Sequence, residues 1–200
     1  MSFTSTVKDE ISKLEIDEVT RISELSGIIQ SGADISESIS ITTENNSVAR
    51  RIYTLIKDIY GISPKITVRK GYNYSKKMLY ILEVKNKVNL ILKDLGIGED
   101  ETSEFILGDS DLVRAYLRGV FDMCASINDP KTSRYHLEFN LNSEKYAKFI
   151  CDILNSFDLK EVKKIIKIAY RLFFRVTVVC QNERITLSSL YDKGYVTTNS

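Results

Sequence analysis

Two stretches of this chain repeat one another, and that repeat limits the fold more than any other feature. Leu25-Ser26-Gly27-Ile28-Ile29-Gln30-Ser31-Gly32-Ala33 returns as Leu117-Arg118-Gly119-Val120-Phe121-Asp122-Met123-Cys124-Ala125. Each copy sits in a run with helical spacing. In the first, Val19, Ile22, Leu25, Ile28 and Ile29 form the apolar stripe and Gly32 ends it. In the second, Asp109 or Ser110 is the cap and Leu112, Val113, Tyr116, Leu117, Val120 and Phe121 form the stripe. An alternating, half-buried strand follows each: Ile39 and Ile41, then Tyr135, Leu137, Phe139 and Leu141. Each strand leads to a helix headed by asparagine. Asn45-Asn46-Ser47 precedes Val48, Ile52, Tyr53, Ile56 and Tyr60, and Asn142 precedes Phe149, Ile150, Ile153, Leu154 and Phe157. Ile52 and Ile56 are matched with Phe149 and Ile153. One such half can bury only one face of its sheet, so the two are expected to complete a common core.

The rest of the chain fits around that repeat. Residues 1–18 are acidic and read as helical. After Pro64, Lys65 to Arg69 alternates as a strand, Gly71 to Ser75 is a turn-rich hairpin loop, and Met78 to Val84 returns. A short helix from Lys87 to Leu95 closes the first half. Gly96 to Glu101 reads as an exposed connection. The expected organisation is a first half over residues 1–97, an acidic linker over 98–109, and a second half over 110–200 with an atypical end. From Lys160 the chain is basic and strand-like, with Leu172, Phe174, Val176 and Val178 alternating against Arg171, Arg175 and Thr177. Poor helix formers from Thr186 to Ser200 predict a second half that lacks its closing helix and frays from about Gln181.

Composition excludes several classes. Of 200 residues, 43% are apolar and only 2 are proline and 9 glycine, which argues for a packed domain over disorder. The cysteines Cys124, Cys151 and Cys180 lack zinc spacing and read as buried, reduced thiols. His136 is the single histidine, on the polar side of a strand, and forms no triad with anything identifiable. Gly96 and Gly98 begin a G-x-G, but Glu101 stands where a third phosphate-loop glycine belongs. The N-terminus has neither the basic nor the apolar region of a secretion signal. No apolar stretch approaches the roughly 18 residues needed to span a bilayer. These features predict a cytoplasmic protein with no membrane partner, no cofactor and no bound metal; nucleoid association is an expectation of the DNA-binding reading below.

The paired segments resemble two degraded copies of the LAGLIDADG motif of homing endonucleases. The opening Ser2 to Ile11, the segment Glu24 to Gly32, and Arg114 to Gly119 resemble, more narrowly, the WhiA family. The resemblance runs from residue 1 to about Asp158; beyond it the pattern fades, and no helix-turn-helix follows. It implies an α+β fold of two pseudo-symmetric αββαββα-type halves, with the motif helices packed side by side at the centre. Gly27 and Gly119 would then permit close approach of those helices. The resemblance also implies a catalytically silent LAGLIDADG domain, which in the family is joined to a C-terminal helix-turn-helix. The family is associated with sporulation control in some bacteria and with cell division and chromosome segregation in others.

Catalysis in such nucleases requires a metal-binding acid at the eighth motif position of each helix. Those positions hold Gly32 and Cys124, and a hard divalent cation prefers oxygen ligands. Asp122, at the sixth position, and Asp34 read as capping or solvated groups. No catalytic residue is therefore expected.

Charge is segregated although the net value is only +1. Pro64 to Lys87 holds seven basic residues and one acid, Lys160 to Arg175 six and one, and residues 98–111 six acids and no base. Lys65, Thr67 and Arg69 share a strand face opposite Ile66 and Val68. Arg134, His136, Glu138 and Asn140 share another, as do Arg171, Arg175 and Thr177. These polar faces suit a double-stranded DNA groove, with cations meeting phosphates. The expected contacts are Lys65, Arg69, Lys70, Lys76, Lys77, Arg134, Arg171 and Arg175, with Tyr72 and Tyr74 against sugar or base. The rival reading is a protein-interaction scaffold whose DNA affinity belonged to the helix-turn-helix. A residual nuclease is a third, against which the lost acids count.

Overall fold

The structure is a computed structural model. It describes residues 2–71, 77–98, 104–129, 131, 136–156, 175–180, 183–190 and 193–198, and from Arg175 onward the backbone alone. Two compact units emerge, Lys8–Met123 and the combination of Met1–Val7 with Cys124–Ser200. These cut the chain differently from the sequence halves, because both motif helices fall in the first unit.

In the unit Lys8–Met123, the chain leaves α1 (Phe3–Ile11) and enters α2 (Glu18–Gly32). The expected N-terminal helix is thus shorter than 1–18. It ends at Ile11, and Asp17 caps the next helix, its side chain accepting from Thr20 N at 2.8 Å. Hairpin strands β1 (Ala33–Ile35) and β2 (Ile39–Thr43) precede α3 (Asn46–Tyr60), which Asn45 caps by accepting from Val48 N. Gly61, at φ 67°, ends α3 in the left-handed conformation that favours glycine. Then come β3 (Lys65–Lys70), β4 (Met78–Val84) and α4 (Val88–Asp94). The acidic stretch that follows includes the short α5 (Glu104–Leu107), whose Ile106 is buried. Asp109 caps α6 (Ser110–Cys124), accepting from Asp111 N and Leu112 N.

The first sheet runs β1-β2-β4-β3, antiparallel throughout. Register sorts its faces. Ala33, Ile35, Ile39, Ile41, Leu82 and Val84 share the side on which α2 and α3 pack. Their core continues through Leu25, Ile28, Ile29, Val48, Ile52, Leu55, Ile56, Ile91 and Leu95. Each fully buried aliphatic side chain stabilises the fold by about 1.5–3 kcal/mol relative to exposure. Val19, assigned to the inner stripe of α2, is 45% exposed instead.

In the other unit, β5 (Ala125–Ile127) and β6 (His136–Leu141) form an antiparallel pair, followed by α7 (Glu144–Ser156). Ser143, not Asn142, heads this helix, its hydroxyl accepting from Tyr146 N. Counted from the true caps, Ile52 and Ile56 correspond to Ile150 and Leu154, all four buried, and Ala49 corresponds to buried Ala147. The match with Phe149 and Ile153 was one residue out of step. Strands β7 (Arg175–Cys180), β8 (Glu183–Leu190) and β9 (Lys193–Thr198) complete a sheet of order β5-β6-β7-β8-β9. The expected fraying from Gln181 is corrected by β8 and β9. Threonine, valine, isoleucine and tyrosine are poor helix formers but good strand formers. Pseudo-symmetry therefore holds through α7 and then breaks. In the first sheet β2 pairs antiparallel with β4, whereas β6 pairs parallel with β7, and a fifth strand, β9, follows β8 where α4 closes the first half.

Candidate nucleic-acid interface and the paired motif helices

The motif helices α2 and α6 meet through their glycines. A Cβ on Gly27 would press into the carbonyl oxygen of Tyr116 and come within 3.2 Å of Val120 N. A Cβ on Gly119 would press into the carbonyl oxygen of Glu24 and come within 2.8 Å of Ile28 N. The approach is reciprocal, and only hydrogen fits at either point. Hydroxyl groups fasten the pair. Ser23 Oγ donates to Leu112 O at 2.5 Å, and Tyr116 OH donates to Gln30 Oε1 at 2.6 Å. Because α2 is enclosed, its Ser23, Glu24 and Ser26 are buried along with its apolar residues.

The eighth motif position on α2, Gly32, has no room for a side chain unless Met123 shifts. A Cβ on Gly32 would lie 2.8 Å from both Cβ and Cγ of Met123. Met123 thus packs over the backbone from which a metal-binding carboxylate would project. The second position is Cys124, a half-buried thiol.

A charged cluster lies buried near these helices. Glu24 is 1% exposed and receives a forked pair of bonds from Arg51, Nε to Oε1 at 2.7 Å and Nη2 to Oε2 at 3.1 Å. Arg51 also donates to Leu14 O at 2.9 Å. Arg118 Nε stands 3.9 Å from Glu24 Oε2. Lys8 Nζ donates to the backbone oxygen of Asp122 at 2.8 Å and lies 5.6 Å from the Phe121 ring centre. Asp122 is therefore a buried group, which corrects its reading as a capping or solvated one. Sequence reasoning missed this cluster, since helical spacing marks apolar stripes and is silent about charges enclosed by later packing.

The candidate interface is the face of the first sheet turned away from α2 and α3. By register it carries Asp34, Ser40, Thr42, Leu79, Ile81, Glu83, Lys65, Thr67 and Arg69. Lys65 and Arg69 are exposed and, among the described residues, neither forms an ion pair. Lys65 stands in register with Glu83, and Lys85 Nζ lies 3.5 Å from Glu83 Oε1. Lys70 alternates to the opposite face, in register with Met78, so it does not join Lys65 and Arg69. Lys77 precedes β4 and pairs with Glu44. Ile66 and Val68, the apolar positions that alternate with Lys65, Thr67 and Arg69, lie by register on the side of Leu82. Each remains 47% exposed, because β3 is the edge strand and extends past the packed core. Arg175 opens β7 in register with His136. Tyr72, Tyr74, Lys76, Arg134 and Arg171 lie outside the described residues. Ser40 and Thr42, absent from the expected contacts, were visible as the polar positions alternating with Ile39 and Ile41. No group of acidic, cysteine and histidine side chains suited to a metal ion occurs among the described residues, and none of their helices is long and apolar enough to cross a membrane.

Residues 18–98 match the family described as the WhiA N-terminal LAGLIDADG-like domain, and residues 113–185 match the WhiA LAGLIDADG-like domain. The second match passes Asp158, where the resemblance was read as fading. The chain is 37% identical over 169 residues to the "Probable cell division protein WhiA" of Staphylococcus aureus strain JH9, an overlap of 80% of this chain and 54% of that protein. The homologue from strain Newman gives the same values. The chain spans about half the length of these relatives. Among solved structures, the N-terminal LAGLIDADG domain of DUF199/WhiA superposes with a TM-score of 0.63 at 21% identity, covering 86% of this chain and 92% of that one. Full-length DUF199/WhiA from Thermatoga maritima gives 0.62 at 20% identity, covering 84% and 61%. These two structures share the fold.

Proposed function

The chain belongs to the WhiA family of LAGLIDADG-like proteins, and from that premise we propose that it is a double-stranded DNA-binding domain without nuclease activity. The observation that carries this reading is the open face of β1-β2-β4-β3. Lys65 and Arg69 there are exposed cations, and Ser40, Thr42 and Thr67 supply hydroxyl groups beside them. A strand face of this kind holds phosphates by charge and adjacent sugar or base edges by hydrogen bonds. Asp34 and Glu83 on the same face temper the potential, so the binding is weak and depends steeply on salt. Loss of nuclease chemistry rests on Gly32 and Cys124, neither of which offers a carboxylate. The naming of the relatives as probable cell division proteins supports a role in cell division; chromosome segregation or sporulation transcription, and action in the cytoplasm at the nucleoid, extend that reading through DNA binding.

A scaffold that binds protein is the second reading. Exposed Ile66, Val68 and Met78 share the other face of the β3–β4 hairpin, and Lys77 and Lys85 already have acidic partners. The two readings separate in a salt titration of duplex DNA binding. Substituting Lys65 and Arg69 together by alanine should weaken binding and reduce the salt slope by about two units, one for each phosphate contact. Lys70→Ala, on the opposite face, should change neither as much. Unaltered affinity and slope in the double variant would rule out this face and favour the scaffold.

A further inference from the structure

Asp122 occupies the sixth position of its motif, as Gln30 does in the other copy. Gln30 accepts a hydrogen bond from Tyr116, whereas neither carboxylate oxygen of Asp122 has a hydrogen-bond partner among the described residues. The residue is 2% exposed. Four charged groups act on it electrostatically: Lys8 on α1, Glu24 on α2, Arg51 on α3 and Arg118 on α6. Two of these are already committed, since Arg51 grips Glu24 and the Lys8 ammonium is turned to the Asp122 backbone oxygen. An ionised carboxylate here would be a buried charge without a bonded counterion, which is a costly state.

We propose that Asp122 is a proton-operated latch: as the neutral acid it permits α1, α2, α3 and α6 to pack as observed, and on ionisation it loosens that packing. Burial pushes its carboxyl up to about 8, with Glu24 adding to the rise and Lys8, Arg51 and Arg118 opposing it. The folded value lies above the unfolded one of 3.8. Protonation therefore contributes stability that is fully present below the unfolded value and is lost as pH rises through the folded one. The latch is closed at mildly acidic pH and opens in the alkaline direction, the reverse of a salt-bridged aspartate.

The first experiment follows the Asp122 side-chain carboxyl carbon of the intact chain by NMR across pH. A midpoint several pH units above the ordinary carboxylate range is expected, and Lys8→Met should raise it further by removing an opposing cation. The second measures folding equilibria of the parent and Asp122→Asn. Between about pH 5 and 8, the parent's folding constant should fall relative to the variant's by up to about tenfold per pH unit. A midpoint at the ordinary aspartate value, or parallel pH profiles for parent and variant, would overturn the proposal. Should Asp122→Asn fail to fold, the NMR titration of the parent decides alone.

Discussion

At the residue scale, the contact that sets the motif helices together is the absence of two side chains. Gly27 and Gly119 each lie against a carbonyl of the other helix, so the pair is unusually sensitive to a methyl group. Gly27→Ala and Gly119→Ala should each lower stability by about 1–3 kcal/mol, the cost of overpacking against backbone that cannot step aside. Gly98 has open space where its Cβ would be, and Gly98→Ala should stay within about 0.5 kcal/mol of the parent. Denaturant midpoints for the three variants check this, and equal values would remove the packing explanation. The glycines were legible because they repeat at the third motif position. Glu24 and Arg51 were not legible as a buried pair, because nothing local distinguishes a glutamate that water will reach from one that α3 and α6 will enclose.

Elements were readable where their period had room to show. The stripes of α3, α6 and α7 and the alternation of β2 and β6 were all visible. Three-residue β1 and β5 were missed, since three positions cannot display a period of two. Caps were legible only to the nearest candidate. Asn45 stood among the candidates with Asn46 and Ser47, and Asp109 with Ser110, but in Asn142-Ser143 the backbone turns one residue later, and the serine hydroxyl accepts the bond. Asn45→Ala and Ser143→Ala should each cost about 1 kcal/mol, while Asn142→Ala should cost only a few tenths. Thermal unfolding of the three variants is the check; a larger loss from Asn142→Ala than from Ser143→Ala would contradict the assigned cap.

At the scale of the whole molecule, function turns on what the LAGLIDADG frame keeps and what it gives up. The chain keeps the paired helices and an open strand face, and it lacks the acids at both eighth positions. Supercoiled plasmid incubated with pure protein and magnesium or manganese should stay intact. Restoring one acid by Gly32→Asp should not bring cleavage back, because Met123 packs where the new side chain would begin. Metal-dependent nicking by the parent, abolished by Asp34→Ala or Asp122→Ala, would show that a different acid serves. The sequence by itself determined the twofold repeat, the alternation of helix and strand behind the α+β class, and the absence of an acid at Gly32 and Cys124, because periodicity and residue identity are local facts; the glycine contact was an expectation of the family resemblance. Only the tertiary structure decided three other features: which side of β3 Lys70 joins, that the Asp122 carboxylate is buried with no hydrogen-bond partner among the described residues, and that β7 lies parallel beside β6. Strand order, edge position and enclosure are set by segments far apart in the chain, through the shared burial of apolar surface and the pairing of backbone groups.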